Sequence, residues 1–184
     1  MKFISQSISG LMVIEPTFYN DDRGYFAETF RHDLFEEAIG YKINFIQDNE
    51  SKSSKGVLRG LHYQVYPHTQ SKLVKVIEGS ILDVAVDIRK PSPTFGKYIS
   101  LELTAENKRQ LFIPKGFAHG FVVLSDNATI VYKVDNYYAP EHDRGIIFND
   151  KTIDIKWKLP ADLLHLSDKD KNQPTLDIAR DLFK

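Results

Sequence analysis

Cysteine is absent from the 184 residues, which excludes disulfides, thiolate zinc sites and cysteine nucleophiles. An excess of one charge sign is missing too. Lys and Arg number 24 against 25 Asp and Glu, for a formal net charge of −1. Electrostatic capture of nucleic acid needs a basic face to displace counterions, and the Lys108-Arg109 pair is too short to supply one. No apolar run approaches the ~20 residues of a membrane-spanning helix. Met1 to Ile14 lacks the charged start, apolar stretch and small-residue cleavage site of a secretion signal. There is no internal repeat, low-complexity tract or Gly/Ser linker. No glycine-rich phosphate loop occurs, so any nucleotide would have to be held by side chains. The expectation is a single cytoplasmic domain over residues 1–184 that binds neither nucleic acid nor membrane.

What is present is the balance of an ordinary globular protein, 42% hydrophobic and 27% charged. The middle of the chain reads as strands. Ser71 to Val76, Ser80 to Ile88, Lys97 to Leu103, Gln110 to Ile113, Gly120 to Leu124 and Thr129 to Val134 are short and rich in Val, Ile, Leu, Phe and Tyr. Turn chemistry separates them at Glu78-Gly79, Lys90 to Pro93, Thr104 to Asn107 and Ser125 to Asn127. Such spacing points to a sandwich or barrel. Arg31 to Ile39 has helical apolar spacing, with Gly40 placed as a C-terminal cap. A second short helix is predicted over Thr175 to Phe183, and Asp135 to Pro174 is expected to wrap the barrel.

Three segments carry polar groups that cost free energy unless they are used. In Gly56 to Gln64, strand alternation puts Leu58, Gly60, His62 and Gln64 on one face and Arg59, Leu61 and Tyr63 on the other. An imidazole on an inner face needs a partner, whether structural or catalytic. In Pro114 to Gly120, glycines bracket His119, which reads either as a turn with a surface histidine or as an imidazole delivered to a cavity mouth. In Tyr132 to Tyr138, three tyrosines suit packing, yet a phenol also donates protons. No two of the six histidines are spaced i,i+2 or i,i+4, so a metal site would have to be assembled from distant positions. Arg23, Arg59 and Lys72 are the cations in or near these segments.

Asp22 to Phe26, Gln47-Asp48-Asn49, Leu58 to Gln64, Val84 to Gly96, Ile113 to Gly120 and Tyr137 to Asp150 together resemble the dTDP-4-dehydrorhamnose 3,5-epimerase family over nearly the whole chain. The resemblance implies a mainly β fold, a cupin-like double-stranded β-helix (jelly-roll barrel) with a few short helices, assembled as a homodimer. It implies inversion of C3 and C5 of a dTDP-4-keto-6-deoxyhexose, a step of dTDP-rhamnose and polysaccharide biosynthesis, with no cofactor and no metal. By motif position His62 is the base, paired with Asp170. Lys72 is the oxyanion stabiliser and Tyr132 the acid. Arg23, Glu28, Gln47, Asn49, Arg59, His119, Asp143 and Lys169 would hold substrate. Asp143 stands where similar proteins often carry the longer Glu. A C3-only epimerase, a ketoisomerase, or a non-catalytic sugar-nucleotide-binding cupin are the alternative readings.

Overall fold

A computed structural model describes all of residues 1–184. In chain order the strands are β1 (Lys2–Ser5), β2 (Met12–Glu15), β3 (Phe18–Asp21), β4 (Gly24–Ala27), β5 (Gln47–Ser54), β6 (Leu58–Gln64), β7 (Lys72–Glu78), β8 (Ser80–Asp87), β9 (Tyr98–Thr104), β10 (Gln110–Ile113), β11 (Phe117–Val123), β12 (Asn127–Val134) and β13 (Asp143–Gly145). Two helices join them, α1 (His32–Ile39) and α2 (Asp168–Lys171). A six-stranded sheet runs β1-β2-β10-β7-β12-β5, and a five-stranded sheet runs β13-β6-β11-β8-β9. All their pairings are antiparallel. This is the mainly β, double-sheet barrel expected of a jelly roll.

Period-two alternation decides which side chains enter the space between the sheets. Val74 and Val76 of β7, Ile81 and Ala85 of β8, and Ala128 and Ile130 of β12 meet there in one core. The opposite face of β8, with Leu82, Val84 and Val86, is also fully buried. Ile146, Ile153, Ile155 and Trp157 of the long C-terminal segment cover it, so this segment does wrap the barrel. Helix α1 seals the outside of the other sheet: Phe35 is 1% exposed and meets Phe112 edge-on with centroids 5.0 Å apart. Gly40 ends α1 at φ 81, the left-handed geometry that a side chain would strain.

The predicted C-terminal helix does not form. Thr175 to Phe183 is a turn followed by irregular chain, bridged to Arg89 through Phe183. Leu176 and Leu182, six residues apart, both sink into the outer core, and that burial outweighs a weak helical pattern. The true second helix lies earlier, at Asp168–Lys171, where the Ser167 hydroxyl accepts the Asp170 N–H.

One buried carboxylate holds the loop after β8. Asp87 accepts from the Arg89 guanidinium at 2.8 Å, Ser92 at 2.6 Å and Thr94 at 2.7 Å. Burial alone would push its acid up, but these hydrogen bonds outweigh that and hold it at about 2, against 3.8 for the free group. A depressed carboxylate stabilises the fold above pH 3.8, and the gain is lost as pH falls toward 2. Asp87→Asn is therefore expected to lower urea stability by about 2 kcal/mol at pH 6. The gap to the parent protein should close as pH falls to 2, and a pH-independent gap would refute the linkage.

Candidate functional site

Between the sheets, where the apolar core gives out toward one end, two adjoining cavities of about 500 and 380 Å³ open. His62, Lys72, Tyr132 and Lys169 line both. These side chains come from β6, β7, β12 and α2, so no single element carries the site. Arg59, His119 and Asp170 complete the first cavity, and Gln47, Asn49 and Asp143 the second.

Strand register explains the convergence. Tyr132 lies opposite Asn49 of β5, and His62 lies opposite His119 of β11. Simple alternation would have turned Arg59 away from His62. Instead the β6–β11 register slips between His119 and Phe121, which pair with His62 and Arg59. One extra residue in β6 makes a bulge, and both Arg59 and His62 face the cavity. Leu58, Leu61 and Tyr63 fill the outer core instead. The bulge requires glycine: Gly60 has φ +130, and a Cβ there would stand 2.5 Å from the Gly120 Cα.

His62 Nε2 lies 2.6 Å from Asp170 Oδ1. Asp170 is 3% exposed. Its burial pushes the acid up, but the hydrogen bond from His62, with those from Ser167 and the Gly60 backbone, wins and draws it down. The ionised carboxylate accepts, so the His62 Nε2–H is the donor of this bond. His119 forms a parallel pair, with Nε2 2.7 Å from Asp83 Oδ1. Burial drives the His119 pKa down, and Lys72 and His62 add to that. Asp83 opposes it.

Lys72 is drawn down by burial against the pull of Asp143 and Asp83, and its ammonium stands 6.0 Å over the Tyr132 ring. Burial raises the Tyr132 phenol above its usual value, so it is protonated at neutral pH. At the mouth Asp143 pairs with Lys169, and the Tyr138 hydroxyl donates to Asp143 at 3.4 Å. Gln47 donates to Asn49 at 2.8 Å, and Arg59 to Ser53 at 3.2 Å. The cluster thus offers a base with an ionised partner, a cation with little solvent around it, and a neutral phenol.

Ten of the twelve residues expected at the site meet here. Arg23 and Glu28 do not. Arg23 sits on the β3–β4 hairpin, paired with Asp21 at 2.6 Å, and Glu28 lines a separate cavity with Lys75 and Lys133. His119 is neither on a turn nor at the surface: it is 8% exposed within β11. Tyr137 and Tyr138 do not pack in the core either, being 62% and 56% exposed. Asp83 is the site residue that sequence reasoning missed. Its signal was a carboxylate in the apolar run Ser80 to Asp87, where a buried charge demands a partner.

A double-sheet barrel with an acid–base cluster gathered across its strands has the parts of a proton-transfer enzyme, and comparison with known proteins narrows it. The family description for dTDP-4-dehydrorhamnose 3,5-epimerase matches residues 5–177. The chain is 55% identical to the dTDP-4-dehydrorhamnose 3,5-epimerase of Shigella flexneri over 172 residues, 94% of each chain. It superimposes on the crystal structure of the Elizabethkingia anophelis enzyme with a TM-score of 0.94 at 50% identity, covering 96% of this chain and 97% of that one. The Legionella pneumophila dTDP-6-deoxy-D-glucose-3,5-epimerase, in complex with dTDP-4-keto-L-rhamnose, superimposes at 0.92 and 48% identity, over 96% and 93%. This chain belongs to the dTDP-4-dehydrorhamnose 3,5-epimerase family.

Proposed function

We propose that the protein inverts C3 and C5 of dTDP-4-keto-6-deoxy-D-glucose, giving dTDP-4-keto-L-rhamnose. The observation that carries this reading is the convergence of the His62–Asp170 pair, Lys72 and Tyr132 on one cavity. Protons on carbons beside a ketone are acidic because their loss gives an enolate. His62 Nδ1 takes such a proton while Asp170 stabilises the imidazolium through Nε2–H. Lys72 faces the oxygen that becomes the enolate, where a fixed cation is most effective because no solvent has to reorganise. Tyr132 returns a proton on the opposite face; His62 then releases its proton to water and the Tyr132 phenolate takes one back, which restores both groups. No electrons leave the sugar, so the reaction calls for no redox group.

Arg59, His119, Lys169, Gln47, Asn49 and Asp143 line the walls on which the nucleotide and sugar would rest. The planar guanidinium of Arg59 suits a diphosphate. We read residues 1–184 as one cytoplasmic domain and the active form as a homodimer. The β3–β4 hairpin supports the dimer: Tyr19, Tyr25 and Phe26 on it are 63%, 58% and 69% exposed. A single-chain mass by light scattering would remove the dimer reading.

The decisive assay is incubation with dTDP-4-keto-6-deoxy-D-glucose in deuterated water, followed by NMR. Deuterium at both C3 and C5 supports the double epimerase. Label at C3 alone points to a single epimerase, and label at neither refutes the reading. Tyr132→Phe is expected to retain proton abstraction better than inversion, so washout at C3 outruns product formation. Equal loss of both would refute the assignment of separate base and acid.

A further inference from the structure

Outside the cavity, two histidines 74 positions apart in the chain stand against each other. His68 lies in the loop after β6, and His142 ends the short turn Pro140–His142. Their ring centroids are 4.5 Å apart. His68 Nδ1 is buried without any hydrogen-bond partner, and Glu141 Oε1 lies 3.1 Å from His142 Nδ1. One nitrogen from each ring and one Glu141 oxygen lie within 4.8 Å of one another. A buried ring nitrogen left unpaired beside a second imidazole and a carboxylate is an unfavourable arrangement without a ligand.

The backbone around these residues is already held. Gln64 donates to the His68 carbonyl at 2.6 Å and to the Tyr137 carbonyl at 3.1 Å, and accepts the Ala139 N–H at 2.6 Å. The Val65 N–H donates to the His142 carbonyl at 3.0 Å. Both loops are thus fixed before any ion arrives. Tetrahedral bonds of about 2.1 Å place ligand atoms roughly 3.4 Å apart, a contraction within reach of side-chain rotation.

We propose that His68, Glu141 and His142 form a binding site for a late first-row divalent cation of the zinc class. Two imidazoles and one carboxylate suit zinc, nickel or copper, whereas magnesium and calcium demand an all-oxygen set. Three protein ligands leave a further position for water. The ion is not part of the epimerisation chemistry. It joins the loop after β6 to the segment carrying Tyr138 and Asp143, and so secures one rim of the cavity.

The test is calorimetric titration of untagged, chelator-treated full-length protein with zinc chloride, with magnesium chloride as the control. One zinc per chain is expected, with a dissociation constant on the order of micromolar or tighter. Saturating zinc should raise the melting temperature by roughly 5 °C, because the ion binds the folded state. The His68→Ala/His142→Ala double variant should lose at least about 100-fold in affinity. Glu141→Gln, at an exposed position that leaves the fold intact, should lose roughly 10-fold. Circular dichroism confirms that the variants are folded. Absence of stoichiometric uptake overturns the proposal, and so does uptake that survives unchanged in both variants, which would place the ion elsewhere.

Discussion

Replacing His62 with glutamine is expected to lower turnover by about 10³–10⁴-fold and to abolish deuterium exchange at both C3 and C5. Both effects follow from a single base serving both carbons. His119 is committed to Asp83 at 2.7 Å, and burial disfavours its charged form. Glutamine is the informative substitution because its amide Nε2 stands where the imidazole Nε2 does and still donates to Asp170. Alanine would leave a carboxylate with 3% exposure unpaired and confound lost chemistry with lost stability. The glutamine variant should therefore melt close to the parent protein. Exchange persisting at either carbon would remove His62 from the role of base at that carbon.

Lys72→Met should lower kcat by about 10²–10³-fold, the effect of removing one preorganised charge from a developing oxyanion. It should not destabilise the protein. Burial draws the Lys72 pKa down, so the unfolded chain binds its proton more readily than the folded one. Stability therefore rises with pH between the depressed folded value and the ordinary lysine value, and below that window the protonated amine costs stability. Met fills a similar volume without a charge to desolvate, so its melting temperature at pH 7 is expected to equal or exceed the parent's. In the parent, activity should fall on the alkaline side before pH 10.5, as the ammonium deprotonates early. A fall in melting temperature together with wild-type kcat would reverse the assignment, making Lys72 structural.

The central strands were legible because β7 to β12 carry alternating or continuous apolar runs bounded by Gly, Pro, Asn and Asp. Helix α1 was legible for a similar reason, with Gly40 marking its end. The early strands were not. β5 reads Gln47-Asp48-Asn49-Glu50-Ser51-Lys52-Ser53-Ser54, with no apolar residue, yet it is a strand because β12 offers it a full antiparallel ladder. Its polar inward face is what the cavity needs, and propensity alone argues against it. The C-terminal helix failed in the opposite sense: a local helical pattern yielded to burial of Leu176 and Leu182.

By itself the sequence determined the class of the core and the chemistry available. Apolar alternation requires packed sheets, the absence of cysteine removes thiol chemistry, and the motif residues name a base, a cation and a phenol. Tertiary structure alone decided which of them meet. A one-residue bulge at Gly60 turns Arg59 toward His62, the ladder of β12 with β5 sets Tyr132 beside Asn49, and the cap at Ser167 sets Asp170 against His62 across 108 positions of chain. Local pattern cannot specify such contacts, because bulges, registers and long-range pairings are chosen by what the whole barrel can bury.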